Sequence, residues 1–249
     1  LNGIQIHYEA TGNGPAVLLT HGYSATSRMW RPQEKAVSER YRLITWDMRG
    51  HGETESPADP AQYSETLTLA DMAGLLDLLE VDKAVVGGLS LGGFMSLAFH
   101  LAHPERVRAL VLCDTGPGYR NPEARAGWNK AAERRAQQFE ERGLDALGGS
   151  TEVRATAQYH RSAQGLAHAA RGMLAQFDAR IIDHLPEINV PTLVIVGAND
   201  EPFLGASEYM AARIPGARLE VIPDAGHAAN IDQLDAFNSV LLKFLDALP

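Results

Sequence analysis

The sequence predicts an α/β domain in which helices cover a mostly parallel, doubly wound sheet. Three observations lead to this prediction. Short apolar runs alternate with longer segments of helical periodicity, which is typical of strand–helix–strand units. Several of the runs are almost continuously apolar, as strands buried on both faces are. The length of 249 residues suits one large domain of this class.

Seven runs are predicted to be strands. The first, at residues 4–8, alternates apolar and polar side chains and is expected to be antiparallel to its neighbour. The other six cover residues 16–20, 42–46, 84–88, 109–112, 192–196 and 219–222. Helices are predicted at residues 68–79, 94–101 and 231–248, where apolar side chains recur at helical spacing.

A helical insertion interrupts this alternation. Residues 119–186 contain no convincing strand and are rich in alanine and arginine. We expect them to form a cap over one edge of the sheet, and residues 1–118 and 187–249 to form the sheet domain. The charge-rich faces of the insertion are expected to be solvated helix surfaces.

Composition and charge disfavour several classes of function. The formal net charge of −9 disfavours nucleic acid and anionic membranes as partners, because both attract clustered lysine and arginine. The single cysteine, Cys113, cannot form an internal disulfide and is expected to be a small buried apolar side chain. No apolar run approaches the roughly 20 residues that cross a bilayer. No signal peptide is visible, so we expect a cytoplasmic protein.

The strongest local motif is Gly88-Leu89-Ser90-Leu91-Gly92. It follows a predicted strand and precedes a predicted helix, where the pattern G-x-S-x-G forms a sharp turn that exposes the serine hydroxyl. Glycine on both sides lets neighbouring backbone approach closely. Ser90 is therefore the predicted nucleophile. A packing turn of small residues is the alternative, and a dinucleotide-binding loop fits poorly because G-x-G-x-x-G is missing.

A serine nucleophile needs a base, and the base needs an orienting carboxylate. The chain order expected for this motif is serine, acid, histidine. Asp200 and His227 each follow the end of a predicted strand, at the edge where ligand sites of such sheets lie. Asp114 also follows a strand and competes for the role of acid. Asp200 is favoured because it lies in a glycine-led turn after the penultimate strand.

The remaining histidines have simpler interpretations. His160 lies in the insertion and is expected to be a surface residue. No histidine pair has the spacing of metal ligands, and there is no cysteine cluster, so we expect neither a metal nor another cofactor.

With these residues in order, the chain resembles the α/β-hydrolase superfamily over nearly its whole length. Residues 47–54 are similar to the family's D-x-R-G-x-G-x-S loop, with Thr54 in place of the usual serine. The segments around Ser90 and His227 look most like those of carboxylesterases and enol-lactone hydrolases. Ala228 stands where C–C hydrolases often carry tryptophan, and Ser90 differs from the aspartate of dehalogenases and epoxide hydrolases.

The resemblance implies how a tetrahedral intermediate would be stabilised. In this fold one oxyanion donor is the backbone N–H after the nucleophile, here that of Leu91. The other comes from the loop after an early strand, where Tyr23 follows His21-Gly22.

The resemblance also implies a cofactor-independent serine hydrolase that cleaves a small carboxylic ester or lactone through an acyl-enzyme. Two alternatives stay open: C–C bond hydrolysis or perhydrolysis by the same residues, and a ligand receptor on a hydrolase scaffold. Candidates for substrate contact, each of which could equally be core packing, are Tyr23, Trp128, Met173, Phe177 and Phe203. Arginines of the insertion that could meet a substrate carboxylate are Arg120, Arg125, Arg154, Arg161 and Arg171.

Overall fold

A computed structural model describes residues 1–249, and its centre is one seven-stranded sheet. The strands are β1 (Tyr8–Thr11), β2 (Ala16–Thr20), β3 (Arg42–Trp46), β4 (Ala84–Leu89), β5 (Val107–Cys113), β6 (Thr192–Gly197) and β7 (Arg218–Ile222). Their order in the sheet is β1-β3-β2-β4-β5-β6-β7. Only the β1–β3 pair is antiparallel. The predicted α/β class with a mostly parallel sheet is confirmed.

Ten α-helices complete the fold: α1 (Arg31–Ser38), α2 (Glu65–Leu78), α3 (Leu91–Ala102), α4 (Pro122–Arg142), α5 (Thr151–Thr156), α6 (Ala163–Ala169), α7 (Arg180–His184), α8 (Glu201–Arg213), α9 (Ala229–Asp232) and α10 (Leu234–Asp246). Side-chain caps fix the starts of some of them. The Ser64 hydroxyl caps α2 by accepting from the Leu67 N–H at 3.1 Å, and Asn121 caps α4 in the same way. No helix is both long and apolar enough to cross a membrane.

The core consists of two layers, one on each face of the sheet. Alternate strand residues point to opposite faces, so Leu18 and Val86 join one layer and Val17 and Val85 the other. Helices α2 and α3 contribute to the first layer and α1 and α10 to the second. Burial on both faces explains why the central strands are apolar without interruption.

The first strand begins later than the sequence predicted. Residues 4–7 are not part of a strand: residue 4 lies in a bend and residues 5–7 have no regular secondary structure. They bond instead to the loop after β3: the His7 N–H donates to Thr54 Oγ1 at 2.9 Å, and the Glu55 N–H donates to the Gln5 carbonyl at 2.9 Å. The alternation of apolar residues there reflects Ile4 and Ile6 packing against the core. The antiparallel strand is β1, four residues further along.

The predicted C-terminal helix is two helices. The chain leaves helical geometry at Gln233, with φ −134° and ψ 64°, so that α9 ends and α10 begins there. The apolar residues of α10 continue the pattern that begins at Ile231, so the periodicity alone did not reveal the break.

Helices α4 to α7 lie between β5 and β6 with no strand among them. They enclose a small apolar cluster of their own, which contains Phe139 and Leu166 and packs against Tyr23 of the sheet domain. The exact division into sheet domain and cap, at residues 119 and 186, stays a prediction.

Candidate active site

The turn between β4 and α3 holds Ser90 in a strained conformation. Its φ of 53° and ψ of −115° lie outside the regions that L-residues normally occupy. Hydrogen bonds fix this geometry: the Ser90 N–H donates to the Cys113 carbonyl at 2.9 Å, and the Thr115 hydroxyl donates to the Ser90 carbonyl at 2.6 Å. The turn therefore depends on β5 as well as on its own strand.

The two glycines of the motif allow this turn to pack tightly. A Cβ at Gly88 would lie 2.5 Å from the Thr20 carbonyl oxygen, and a Cβ at Gly92 would lie 2.2 Å from the same atom. Both distances are impossible for a real side chain. Any larger residue at either position would push β2 away from the turn.

His227 and Asp200 form a hydrogen-bonded pair, with 2.8 Å between His227 Nδ1 and Asp200 Oδ2. Because the carboxylate accepts, Nδ1 carries the proton and Nε2 keeps its lone pair. Burial by itself would lower the pKa of His227, but the hydrogen bond and charge of Asp200 outweigh it and raise that pKa. The Phe203 ring packs against the imidazole, with 5.0 Å between ring centroids.

Asp114, the competing acid, has a different environment. It is fully buried, and its Oδ1 accepts from the Gly197 N–H at 2.8 Å, linking the ends of β5 and β6. Burial raises its pKa well above the ordinary value. His227 bonds to Asp200 and not to Asp114.

Buried imidazoles hold the loop after β2. His21 Nε2 accepts from the Met48 N–H at 3.0 Å, so its Nδ1 donates to the Gly22 carbonyl at 2.7 Å. His160 Nδ1 accepts from the Gly52 N–H, so its Nε2 donates to the Ser24 carbonyl at 2.9 Å. Burial lowers the pKa of both rings, that of His21 to about 4, and keeps them neutral.

The position of His160 corrects the expectation that it is a surface residue. It is buried and joins the helical insertion to the loop after β2. Its isolated place in a polar segment gave no sequence signal for this contact.

Two backbone N–H groups next to Ser90 are free. Neither the Tyr23 nor the Leu91 N–H donates a hydrogen bond within the protein. Their loops are close together, because a Cβ at Gly22 would lie 3.5 Å from the Ser90 Cβ. The Tyr23 side chain is engaged elsewhere, since its hydroxyl donates to the Leu166 carbonyl at 2.8 Å.

Ser90 lines two cavities. The first, of about 140 Å³, is lined half by apolar residues, among them Phe94; we call it the Phe94 cavity. The second, of about 480 Å³, contains His227 and Asp200; we call it the His227 cavity. Residues shared by both cavities are Ser90, Trp128, Leu174, Pro202 and Phe203.

Three of the five residues predicted to contact substrate line the cavities beside Ser90. Trp128 and Phe203 line both cavities, and Tyr23 lines the His227 cavity. Met173 lines neither, because it is buried in the core between the insertion and the sheet. Phe177 is 71% exposed and also lies outside both cavities.

Sequence reasoning missed several lining residues. Phe94, Leu174, Arg135 and Glu152 line the cavities. None of the five suggested arginines does. Three of them form ion pairs with carboxylates, namely Arg120 with Asp183, Arg161 with Glu53 and Arg171 with Glu133 and Glu140. No group of three or more histidine, cysteine or acidic side chains is arranged to hold a metal ion.

The seven-stranded sheet, with a strained serine after β4 and a histidine–aspartate pair at the same edge, defines the class of α/β hydrolases. The chain belongs to the alpha/beta hydrolase family, which matches residues 17–240. It is 29% identical to 3-oxoadipate enol-lactonase 1 of Acinetobacter baylyi (strain ATCC 33305 / BD413 / ADP1), over 98% of this chain and 94% of that protein.

Two further similarities cover nearly the whole chain. A thermophilic esterase from Thermogutta terrifontis has a TM-score of 0.84 and 31% identity, over 98% of this chain and 94% of the other. A Bacillus subtilis (strain 168) protein, provisionally named 2-succinyl-6-hydroxy-2,4-cyclohexadiene-1-carboxylate synthase, is 29% identical over 98% of this chain and 96% of its own length. These similarities support hydrolytic activity. They do not identify the type of bond that this protein cleaves.

Proposed function

We propose that this protein hydrolyses small carboxylic esters or lactones through an acyl-enzyme on Ser90. The observation that carries the proposal is the His227–Asp200 pair, which lines one cavity together with the strained Ser90. An esterase and an enol-lactonase among the similar proteins support the same bond type.

In the proposed reaction His227 Nε2 takes the proton of the Ser90 hydroxyl as its oxygen attacks the substrate carbonyl. Asp200 keeps the imidazole in the tautomer that can accept this proton and stabilises the imidazolium that forms. His227 then gives the proton to the leaving alcohol oxygen. A water molecule, deprotonated by the same imidazole, releases the acid and restores the serine.

The negative oxygen of the tetrahedral intermediate needs preorganised donors. The free N–H groups of Tyr23 and Leu91 are suited to this role because neither has another acceptor in the protein. Loss of one such donor typically costs about a hundredfold or more in kcat. The neutral imidazoles of His21 and His160 would fix the position of the Tyr23 amide through the loop backbone.

The arrangement of the two cavities indicates where the acyl group and the leaving group of an ester would bind. The leaving group receives its proton from His227 and therefore belongs in the His227 cavity. The acyl group then occupies the Phe94 cavity, whose volume is about 140 Å³. An apolar cavity of roughly 150 Å³ accommodates benzene, so a short acyl group of about six non-hydrogen atoms fits this volume.

The decisive experiment compares Ser90→Ala with wild type on p-nitrophenyl butyrate. We expect kcat to fall about a thousandfold or more, because the remaining groups cannot form the acyl-enzyme. Ser207→Ala is the matched control, since that serine is buried in α8 and its hydroxyl has no partner. Circular dichroism would show that both variants are folded.

A phosphonate ester that labels active serines should transfer its phosphonyl group to Ser90, with loss of its leaving group, in wild type only. Unchanged ester turnover by Ser90→Ala would overturn the mechanism. Turnover of a vinylogous diketone in place of every ester and lactone would keep the three residues but replace the proposed bond with a C–C bond.

A further inference from the structure

The His227 cavity contains an arginine that has no counter-ion. Arg135 belongs to α4 of the insertion and lines this cavity together with Ser90 and His227. Other arginines of the insertion pair with carboxylates, as Arg171 does with Glu133, whereas Arg135 forms neither an ion pair nor a hydrogen bond through its side chain. Its charge is therefore free to meet an anion that enters the cavity.

The guanidinium of Arg135 is open to the cavity. A side-chain nitrogen that is enclosed by the protein without a partner, such as Arg28 Nε, is out of reach of any ligand. No nitrogen of Arg135 is enclosed in that way, so its unpaired donors are accessible. Nη1 lies 3.8 Å from the position that a Cβ at Gly148 would occupy, and Gly148 lines the same cavity. The charged end of the side chain therefore lies at the cavity wall.

The two carboxylates that line this cavity do not neutralise Arg135. Asp200 bonds to His227, and Glu152 Oε1 accepts from the Ser150 hydroxyl at 2.6 Å. Glu152 Oε2 is enclosed by the protein. Because the formal net charge of the chain is −9, the protein as a whole repels anions. A preference for an anionic substrate would have to come from a local cation such as Arg135.

We propose that Arg135 binds a carboxylate on the leaving group, so that the preferred substrates are esters of hydroxy acids. This inference rests on the proposed ester hydrolysis, in which the leaving group lies in the His227 cavity. A guanidinium donates two parallel hydrogen bonds to a carboxylate, and a neutral alcohol cannot accept both. The cavity volume of about 480 Å³ leaves room for a short chain between the ester oxygen and the carboxylate.

Three pairs of butyrate esters test this selectivity. The acid of each pair is the butyrate ester of glycolate, 3-hydroxypropanoate or 4-hydroxybutanoate, so the carboxylate lies progressively further from the ester oxygen. Its partner is the corresponding primary amide, which has nearly the same shape and no charge. Chromatography of the released butyrate would give kcat/KM for each ester. The ratio of kcat/KM for the acid to kcat/KM for the amide measures the selectivity.

Arg135→Gln should lower this ratio about 10- to 100-fold at the best chain length, the range for a hydrogen bond to a charged group. The inherent reactivities of the two esters cancel, because wild type and variant act on the same pair. Most of the change should lie in KM, since the carboxylate takes no part in bond cleavage. Arg135→Lys keeps the charge but loses the planar pair of donors, so its ratio should lie between the other two.

Arg134→Gln is the matched control. It removes the same charge from the next residue of α4, which is exposed and lines neither cavity, so the ratio should stay at the wild-type value. Circular dichroism would verify that the variants are folded. Arg135→Met repeats the test if the glutamine variant does not fold, because methionine is also a good helix former.

Equal ratios in wild type and Arg135→Gln at all three chain lengths would overturn this inference alone, since the esters would still be hydrolysed. An equal loss of selectivity in Arg134→Gln would also overturn it, because the effect would then come from the overall charge of the insertion. No turnover of any ester or lactone would overturn the proposed function and this inference with it.

Discussion

Replacing Asp200 by asparagine should reveal which carboxylate orients His227. In wild type the His227 Nδ1–H donates to Asp200 Oδ2 at 2.8 Å, which leaves the Nε2 lone pair for the serine proton. An asparagine of the same shape can offer an N–H to Nδ1, and the ring proton then moves to Nε2. The variant also loses the charge that stabilises the imidazolium. In a serine protease the equivalent change lowers kcat by about 10⁴, and we expect a fall of about 10³ to 10⁴ here.

The matched control is the same substitution at Asp114. Burial raises the pKa of the Asp114 carboxyl, and its Oδ1 accepts from the Gly197 N–H. An asparagine oxygen can accept the same bond, so kcat should stay within about tenfold of wild type.

Release of p-nitrophenol from the butyrate ester would give kcat and KM for both variants, and circular dichroism would verify their folding. The reasoning fails if Asp200→Asn keeps more than about a tenth of the wild-type kcat while Asp114→Asn loses it. That result would make Asp114 the orienting acid in spite of the observed pair.

Three further predictions concern titration and stability. As the pH increases, kcat/KM should rise through one ionisation with a pKa above 6.5. Asp200 raises the pKa of His227, and only the neutral ring can accept the serine proton. A pH profile without this rise would contradict the prediction. Burial lowers the pKa of His21 to about 4, so its stabilising contribution is complete above the unfolded value of 6.5 and is lost as the pH falls toward 4. The difference in unfolding free energy between wild type and His21→Asn, measured with urea, should therefore shrink by about 2 kcal/mol from pH 7 to pH 5. Asp71→Asn should cost about 3–5 kcal/mol in the same assay because it leaves the Arg49 guanidinium buried without its partner. Asp71 and Arg49 have fully buried side chains, whereas Asp77→Asn opens an exposed pair and should change stability little.

The sheet and its catalytic edge could be predicted because both depend on local signals. A strand buried on both faces must be apolar, and six predicted strands differ from the observed ones by two residues or fewer at either end. The turn at Ser90 requires glycine on both sides, so the sequence motif predicts the geometry of the turn. Asp200 and His227 follow strand ends, and parallel strands bring those ends to one edge.

The walls of the cavities could not be predicted in this way. The helices of the insertion have both arginine-rich and apolar faces. Their sequence does not indicate which of these faces lines the cavity. Met173 looked like a cavity residue but packs in the core, while Arg135, in a charge-rich run that was expected to be solvated, lines the His227 cavity. Their positions depend on how α4 and α5 pack on the sheet, which is a property of the whole fold.

Backbone strain in this protein is concentrated at the edge that holds the site. Four of the six non-glycine residues with positive φ follow a strand at that edge: Ser24 after β2, Ser90 after β4, Asp114 after β5 and Asp224 after β7. Glycine would adopt such conformations without steric cost, yet it could not supply the side chains that two of these positions require. Ser90 must present a hydroxyl, and Asp114 must reach the Gly197 N–H to join β5 to β6. The layers of apolar side chains on both faces of the sheet provide the stability that tolerates this strain at the strand ends.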